Sequence, residues 1–182
     1  MNIQTFKDII VTFIPEFEPC IGFNQNNPYH NYDVFEHTYV ALKECDPSAD
    51  QVTKLAILFH DIAKPDCMTI DEKGVSHFYG HSAKSTEMTD QILQRIPIAE
   101  HMKSDILQLV KYHDAILDDN DKCIKRWINK IGIVQMRRLF MIKRADIKAQ
   151  SQFRLEERLS HINKLEERMN RIFDERRLQL DR

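Results

Sequence analysis

Near the end of the chain's most apolar stretch, Val52 to Ala63, a histidine and an aspartate stand side by side as His60-Asp61. Charged groups are costly to desolvate and are seldom buried without a partner. A metal ion is one partner that suits an imidazole nitrogen beside a carboxylate oxygen, and Fe, Mn, Zn and Ni accept such donors. The other reading is a helix-terminal pair that reaches solvent or meets a lysine, and for an isolated dipeptide that reading is the better one. Here the dipeptide has company. His37 lies ahead of it, His81 and His113 follow, and Asp146 comes late in the chain. Their flanks are largely structured and apolar, and antiparallel helices can bring such residues together in a bundle core.

The elements that must position these groups are mostly helices. Ile3, Phe6, Ile10 and Phe13 predict a first helix ending near Pro15. Glu16 to Tyr32, with Pro19, Pro28, Gly22 and four asparagines, reads as a loop. Asp33 and Glu36 form a capping-box arrangement for a helix running to about Cys45. After Asp46-Pro47-Ser48, Asp50 can cap a second helix that ends at Pro65; it is apolar nearly all round and belongs in the core. Two short β-like runs about Asp71-Glu72-Lys73-Gly74 predict a small hairpin at about Met68–Phe78. Helices follow at about Ser82–Arg95, Ile98–Tyr112, Asp121–Ile131 and Val134–Gln150. Trp127, among Ile124, Ile128 and Ile131, reads as core rather than as a base-stacking platform.

From Phe153, apolar residues recur at helical spacing: Leu155, Leu159, Ile162, Leu165, Met169 and Ile172. The charges between them are nearly balanced, as on a solvated, salt-bridged face. That stripe either packs on the bundle or forms a dimer seam. The fold class is therefore all-α, a helical bundle with one small β-hairpin and a long C-terminal amphipathic helix.

A length of 182 residues suits one domain, with a core at about 26–150 and a C-terminal helix at about 153–182. A 42% hydrophobic and 30% charged composition is that of a globular chain. The formal net charge of −2 gives no global attraction to nucleic acid or to an anionic membrane. Cys20, Cys45, Cys67 and Cys123 include no CxxC pair, which argues against a zinc-thiolate or redox motif and fits reduced thiols in the cytoplasm. The start lacks a basic region and a small-residue cleavage site, and no stretch is long enough to span a bilayer.

Taken in order, five segments resemble the HD phosphohydrolase superfamily, and more narrowly the HD domain attached to some bacterial tRNA nucleotidyltransferases. They are Tyr29-His30-Asn31-Tyr32-Asp33-Val34-Phe35-Glu36-His37-Thr38, His60-Asp61-Ile62-Ala63-Lys64-Pro65, Phe78-Tyr79-Gly80-His81, Tyr112-His113 and Arg144-Ala145-Asp146. One such motif is weak, whereas five in the family's order are specific. The resemblance spans about Asn26 to Gln150. The nucleotidyltransferase head is missing from the chain, so CCA addition is not carried over.

The resemblance implies an HD-domain bundle with a metal held by His37, His60, Asp61 and Asp146. His81 and His113 match the additional ligands of members that hold two metals, with Asp61 then as the bridge. Taken singly, His81 is equally a helix N-terminal histidine and His113 a C-terminal one favoured by the helix dipole. The implied cofactor is one or two divalent ions among Fe, Mn, Ni, Co, Zn and Mg. The implied activity is metal-dependent hydrolysis of a phosphate ester, by a phosphatase or phosphodiesterase, with a nucleotide as the favoured substrate. Asp61 would orient the nucleophile and the metals, and Lys64 would neutralise the phosphoryl oxygens.

Lys64 otherwise reads as a surface lysine at a helix end. Arg144 is a second candidate for phosphate, or else a partner of a carboxylate. His30 and Asn31 lie on a loop beside the expected mouth and are placed to touch substrate, and Asp114 is a candidate behind His113. His77, His101 and His161 read as ordinary surface histidines. The expected partner is a small phosphorylated substrate, and a homodimer through the last helix is the alternative to its packing on the bundle. Nucleic acid is expected only as a substrate end, and a membrane not at all. The competing function is a non-catalytic HD module that binds a nucleotide and signals to a partner, and the full set of ligand positions counts against it.

Overall fold

The computed structural model describes residues 1–26 and 31–180, the last five as backbone only. Seven α-helices follow one another: α1 (Ile3–Phe13), α2 (Val34–Glu44), α3 (Gln51–Phe59), α4 (His81–Leu93), α5 (Glu100–Tyr112), α6 (Asp121–Ala149) and α7 (Leu155–Leu180). Between α3 and α4, β1 (Thr69–Ile70) pairs antiparallel with β2 (Ser76–His77), Thr69 opposite His77 and Ile70 opposite Ser76. The architecture is the expected helical bundle with one small hairpin. No helix among the described residues is long and apolar enough to cross a membrane.

Short polar side chains set the helix starts. Asp33 accepts from the Glu36 amide at 2.7 Å, Asp50 from the Thr53 amide at 2.9 Å, and Asn120 from the Cys123 amide at 2.8 Å. Each satisfies an amide that has no partner within the helix, typically worth about 1 kcal/mol. The second Asp33 oxygen accepts from the Gly22 amide at 2.8 Å, tying the preceding loop to the start of α2.

Three local features depart from the sequence reading. The segment expected to be loop from Glu16 opens with a 3₁₀ helix, Pro15–Cys20, because Phe17 and Cys20 are fully buried and pull it onto the core. Phe17 meets Phe35 and Phe59 at ring-centroid distances of 6.1 and 6.2 Å. Next, α3 ends at Phe59 rather than Pro65. Beyond it the chain winds tighter, through Ile62 N–Phe59 O, Lys64 N–Asp61 O and Cys67 N–Lys64 O bonds of 3.3, 3.0 and 3.1 Å. Residues three apart eclipse one another in that winding, which stacks Lys64 over Asp61. Lastly, α6 runs through the expected gap near residue 132, but Gly132 sits there at φ +81°, outside helical geometry. A left-handed backbone is open to glycine without strain, so the two expected helices meet at a kink.

The core is one cluster that includes Val34 and Phe35 of α2, Ile57 and Phe59 of α3, Ile106 and Leu109 of α5, and Leu139 and Phe140 of α6. Ile162, Leu165, Met169 and Ile172 of α7 join it, so the α7 stripe packs on the bundle of its own chain. Trp127 is buried edge-on to Tyr112, with centroids 5.2 Å apart, in the core role expected of it.

Candidate metal centre

Five elements converge on one cleft. His37 sits one turn into α2, where its amide bonds to Asp33 O at 2.9 Å. His60, Asp61 and Lys64 lie on the tight winding after α3. Gly80, at φ +79°, turns the chain so that His81 is the first residue of α4. His113 caps the C-terminal end of α5, and Asp146 lies in the last turns of α6.

The six candidate ligands form two groups that share Asp61: His37, His60, Asp61 and Asp146, and then Asp61, His81 and His113. Within each group the ligand atoms all lie within 4.8 Å of one another. Asp61 Oδ2 is 3.2 Å from His60 Nε2 and 3.5 Å from His37 Nε2. Its other oxygen, Oδ1, is 3.3 Å from His81 Nε2 and 3.6 Å from His113 Nε2. Asp146 Oδ1 lies 2.9 Å from His37 Nε2 and 3.7 Å from His60 Nε2.

The far sides of the four rings repeat one device. Nδ1 of His37, His60, His81 and His113 meets the backbone carbonyl of Ala149, Ile57, Phe78 and Val110, at 3.2, 2.7, 2.8 and 2.7 Å. A carbonyl can only accept, so a neutral ring keeps its proton on Nδ1 and turns the Nε2 lone pair towards the Asp61 carboxylate. Histidines that ligate metals are oriented in this way. Two such lone pairs then face each other at 3.3 Å between His37 and His60, and at 3.1 Å between His81 and His113. Neutral imidazoles would repel in that arrangement unless a proton or a cation lay between them. Asp61 Oδ2 is buried and accepts no aligned hydrogen bond among the described residues, despite its ionic neighbour Lys64 at 2.7 Å. The donor set fits a divalent cation.

The buried groups of the cluster shift one another's titration. Burial opposes a charge on His60, but Asp61 and Asp146 outweigh it and push its pKa up to about 10. Burial likewise opposes charge on Asp61, yet His60 and Lys64 hold its carboxyl well below the usual range. Asp146 is held well below that range too, where His37 and His60 overcome its burial. Burial lowers the pKa of His113, aided by the neighbouring His60 and His81. A metal ion needs neutral imidazoles, so its binding would release protons.

Lys64 is not a surface lysine. It is 5% exposed, its Nζ lies 2.7 Å from Asp61 Oδ2, and it donates to Gln25 Oε1 at 2.9 Å. Asp61, His81, His113, Asp146 and Lys64 line a cleft of about 320 Å³ together with Ser76 to Tyr79, while His37 and His60 are buried behind it. Asp114 and Gln150 also border it.

Arg144 is the exception among the expected site residues. It is not brought to the cleft, because its Nε donates to Asn163 Oδ1 at 3.0 Å and its Nη2 pairs with Glu166, both on α7. That is the carboxylate alternative left open by the sequence. His30 lies outside the described residues. Asn31, His101 and His161 are exposed. His77 stands in the cleft wall with Nε2 3.0 Å from Asp71 Oδ2.

Three supporting residues escaped the sequence reading. Gln25 holds Lys64, and nothing in its asparagine-rich loop signals that. Gln150 donates to Asp146 Oδ2 at 2.9 Å from the i+4 position, a spacing that was readable. Lys143 is half-buried and donates to His113 O at 2.7 Å, and desolvation lowers its pKa.

No protein-family model matches the chain. Among curated proteins it is similar to the A-adding tRNA nucleotidyltransferase of Deinococcus radiodurans, 32% identical over 121 residues, covering 64% of this chain and 28% of that protein. It is also similar to the CC-adding tRNA nucleotidyltransferase of Thermus thermophilus, 28% identical over 65% of this chain and 28% of that one. A third relative is the bifunctional uridylyltransferase/uridylyl-removing enzyme of Ruegeria pomeroyi, 27% identical over 60% of this chain and 13% of its own length. The chain thus matches less than a third of each relative's length. All three are enzymes whose names place nucleotidyl or uridylyl groups in their reactions.

Proposed function

We propose that this chain is a metal-dependent phosphohydrolase with an HD-type centre, a phosphatase or phosphodiesterase that acts on a nucleotide phosphate ester. The observation that carries the reading is the division of Asp61, one oxygen towards His37 and His60 and the other towards His81 and His113. One carboxylate is thereby offered to two sets of imidazole lone pairs. When bound, one or two divalent cations supply Lewis acidity, lowering the pKa of a water and neutralising the phosphoryl group.

The chain's own residues do the rest. Lys64 places an ammonium in the cleft wall, where it offsets charge on the phosphoryl oxygens, and Gln25 fixes its position. The backbone carbonyls behind the four rings hold the imidazoles in one tautomer and orientation. At about 320 Å³ the cleft is at the small end of ligand pockets, about 300–1,000 Å³. It suits a phosphoryl group and its adjoining sugar, with the remainder of the substrate at the mouth. The relatives' nucleotide chemistry supports the substrate class.

The test is a panel of phosphate esters assayed with protein loaded with Mn, Fe, Co or Ni. Chelation should abolish turnover and metal should restore it. Undiminished hydrolysis by a metal-free preparation would remove the reading.

A further inference from the structure

Tyr79 stands on the cleft wall with 77% of its surface exposed, an unusual place for a large ring. Its neighbour Phe78 turns inward, onto Phe23 at 6.3 Å between centroids and beneath Lys64 Nζ at 5.4 Å. Packing therefore employs Phe78 and leaves Tyr79 out. Yet Tyr79 is held in place. Its ring lies 6° from parallel to that of His77, with centroids 5.3 Å apart, and its hydroxyl is 3.4 Å from His77 Nδ1. The other nitrogen of His77 is fixed by Asp71 Oδ2 at 3.0 Å, and Asp71 Oδ1 accepts from the Lys73 and Val75 amides of the hairpin turn, both at 2.9 Å. The hairpin thus braces one face of the tyrosine and presents it at the cleft.

The position is also close to the chemistry. His81 is two residues on, so its Cα is within about 7 Å of that of Tyr79. A phosphoryl group beside His81 and a flat ring against Tyr79 lie within the reach of a single ribose.

We propose that Tyr79, braced by His77, is the base-stacking subsite of the cleft, so that the substrate is a nucleotide held by the π-face of its base. The proposal rests on the phosphohydrolase reading for the position of the phosphate. Every base has a π-face, so such a platform tolerates base identity. Similar affinity for purine and pyrimidine nucleotides is expected, and much weaker affinity for a sugar phosphate.

The experiment is calorimetric titration of manganese-loaded protein with non-hydrolysable phosphonate analogues of AMP and of ribose 5-phosphate. The wild type should bind the AMP analogue about ten- to a hundredfold more tightly. Tyr79→Ala should remove that preference and leave the ribose analogue unaffected, while Tyr79→Trp should keep it. Equal binding of the AMP analogue by wild type and Tyr79→Ala, or no preference in the wild type, would overturn the proposal. Turnover of AMP in parallel assays judges the hydrolase reading separately, because stacking shows in binding whether or not the phosphate is cleaved.

Discussion

Two regions of the molecule hold dense sets of opposite charges, one in the cleft of candidate metal ligands and one along the seam of α6 and α7. At the seam, Arg168 meets Asp119 and Asp121 at 2.7 and 2.6 Å, and Arg171 meets Asp121 at 2.7 Å. These groups keep much of their contact with water, so pairing gains little and losing a partner costs little. In the cleft, Asp61, Lys64 and His60 are almost wholly removed from solvent. With neutral imidazoles, two carboxylates there face one ammonium, and a buried charge without full compensation is strongly destabilising. The difference teaches how to read charge in this fold. The seam is held by its apolar residues and its ion pairs are replaceable, whereas the cleft retains an arrangement that stability alone would not favour.

The largest expected effect falls on the cleft. Asp61→Asn keeps the shape but removes the charge shared by both groups, and hydrolysis should fall by about a thousandfold or more in a steady-state assay. Near-normal turnover would show that the carboxylate is dispensable and erase the contrast with the seam.

Next comes the apolar side of the seam. Leu165 is fully buried, and Leu165→Ala should cost about 2–5 kcal/mol in denaturant unfolding. Truncation after Gln152 should lower solubility and melting temperature together, by exposing the α6 face that the stripe covers. An unchanged melting curve after truncation would leave α7 without a structural role.

A smaller effect separates two thiols. Burial, reinforced by Asp61, pushes the Cys20 thiol up to about 12. Cys67 is half-buried and its pKa is raised as well. Alkylation of the native protein should label Cys67 and spare Cys20, read by peptide mass spectrometry. Equal labelling would mean that the core around Phe17 and Cys20 opens readily. The smallest effect is at the ion pairs, where Arg168→Ala should leave the melting temperature nearly unchanged.

Much of this was legible because the signals are local. Asp33, Asp50 and the alternating polar and apolar runs mark where α2, α3 and the hairpin begin, and Gly132 falls in the expected gap. The apolar flanks of His60-Asp61 already made an unpartnered pair improbable. What escaped depends on partners distant in sequence. The family's pattern puts Lys64 at the substrate phosphate, but its burial against Gln25, 39 residues earlier, has no local signal. Arg144 looks like a phosphate ligand until α7 folds back and supplies Asn163 and Glu166. Gln25 has no signature, since its role exists only once Lys64 is buried next to it.

The central claim is that Asp61 joins two sets of metal ligands, and elemental analysis of metal-saturated protein tests it most directly. The wild type should hold two ions per chain. His81→Ala and His113→Ala should each fall towards one with the fold intact by circular dichroism, and Asp61→Ala should lose both. A wild-type protein that saturates at one ion, with both histidine variants unchanged, would contradict the claim and leave His81 and His113 to substrate or proton transfer.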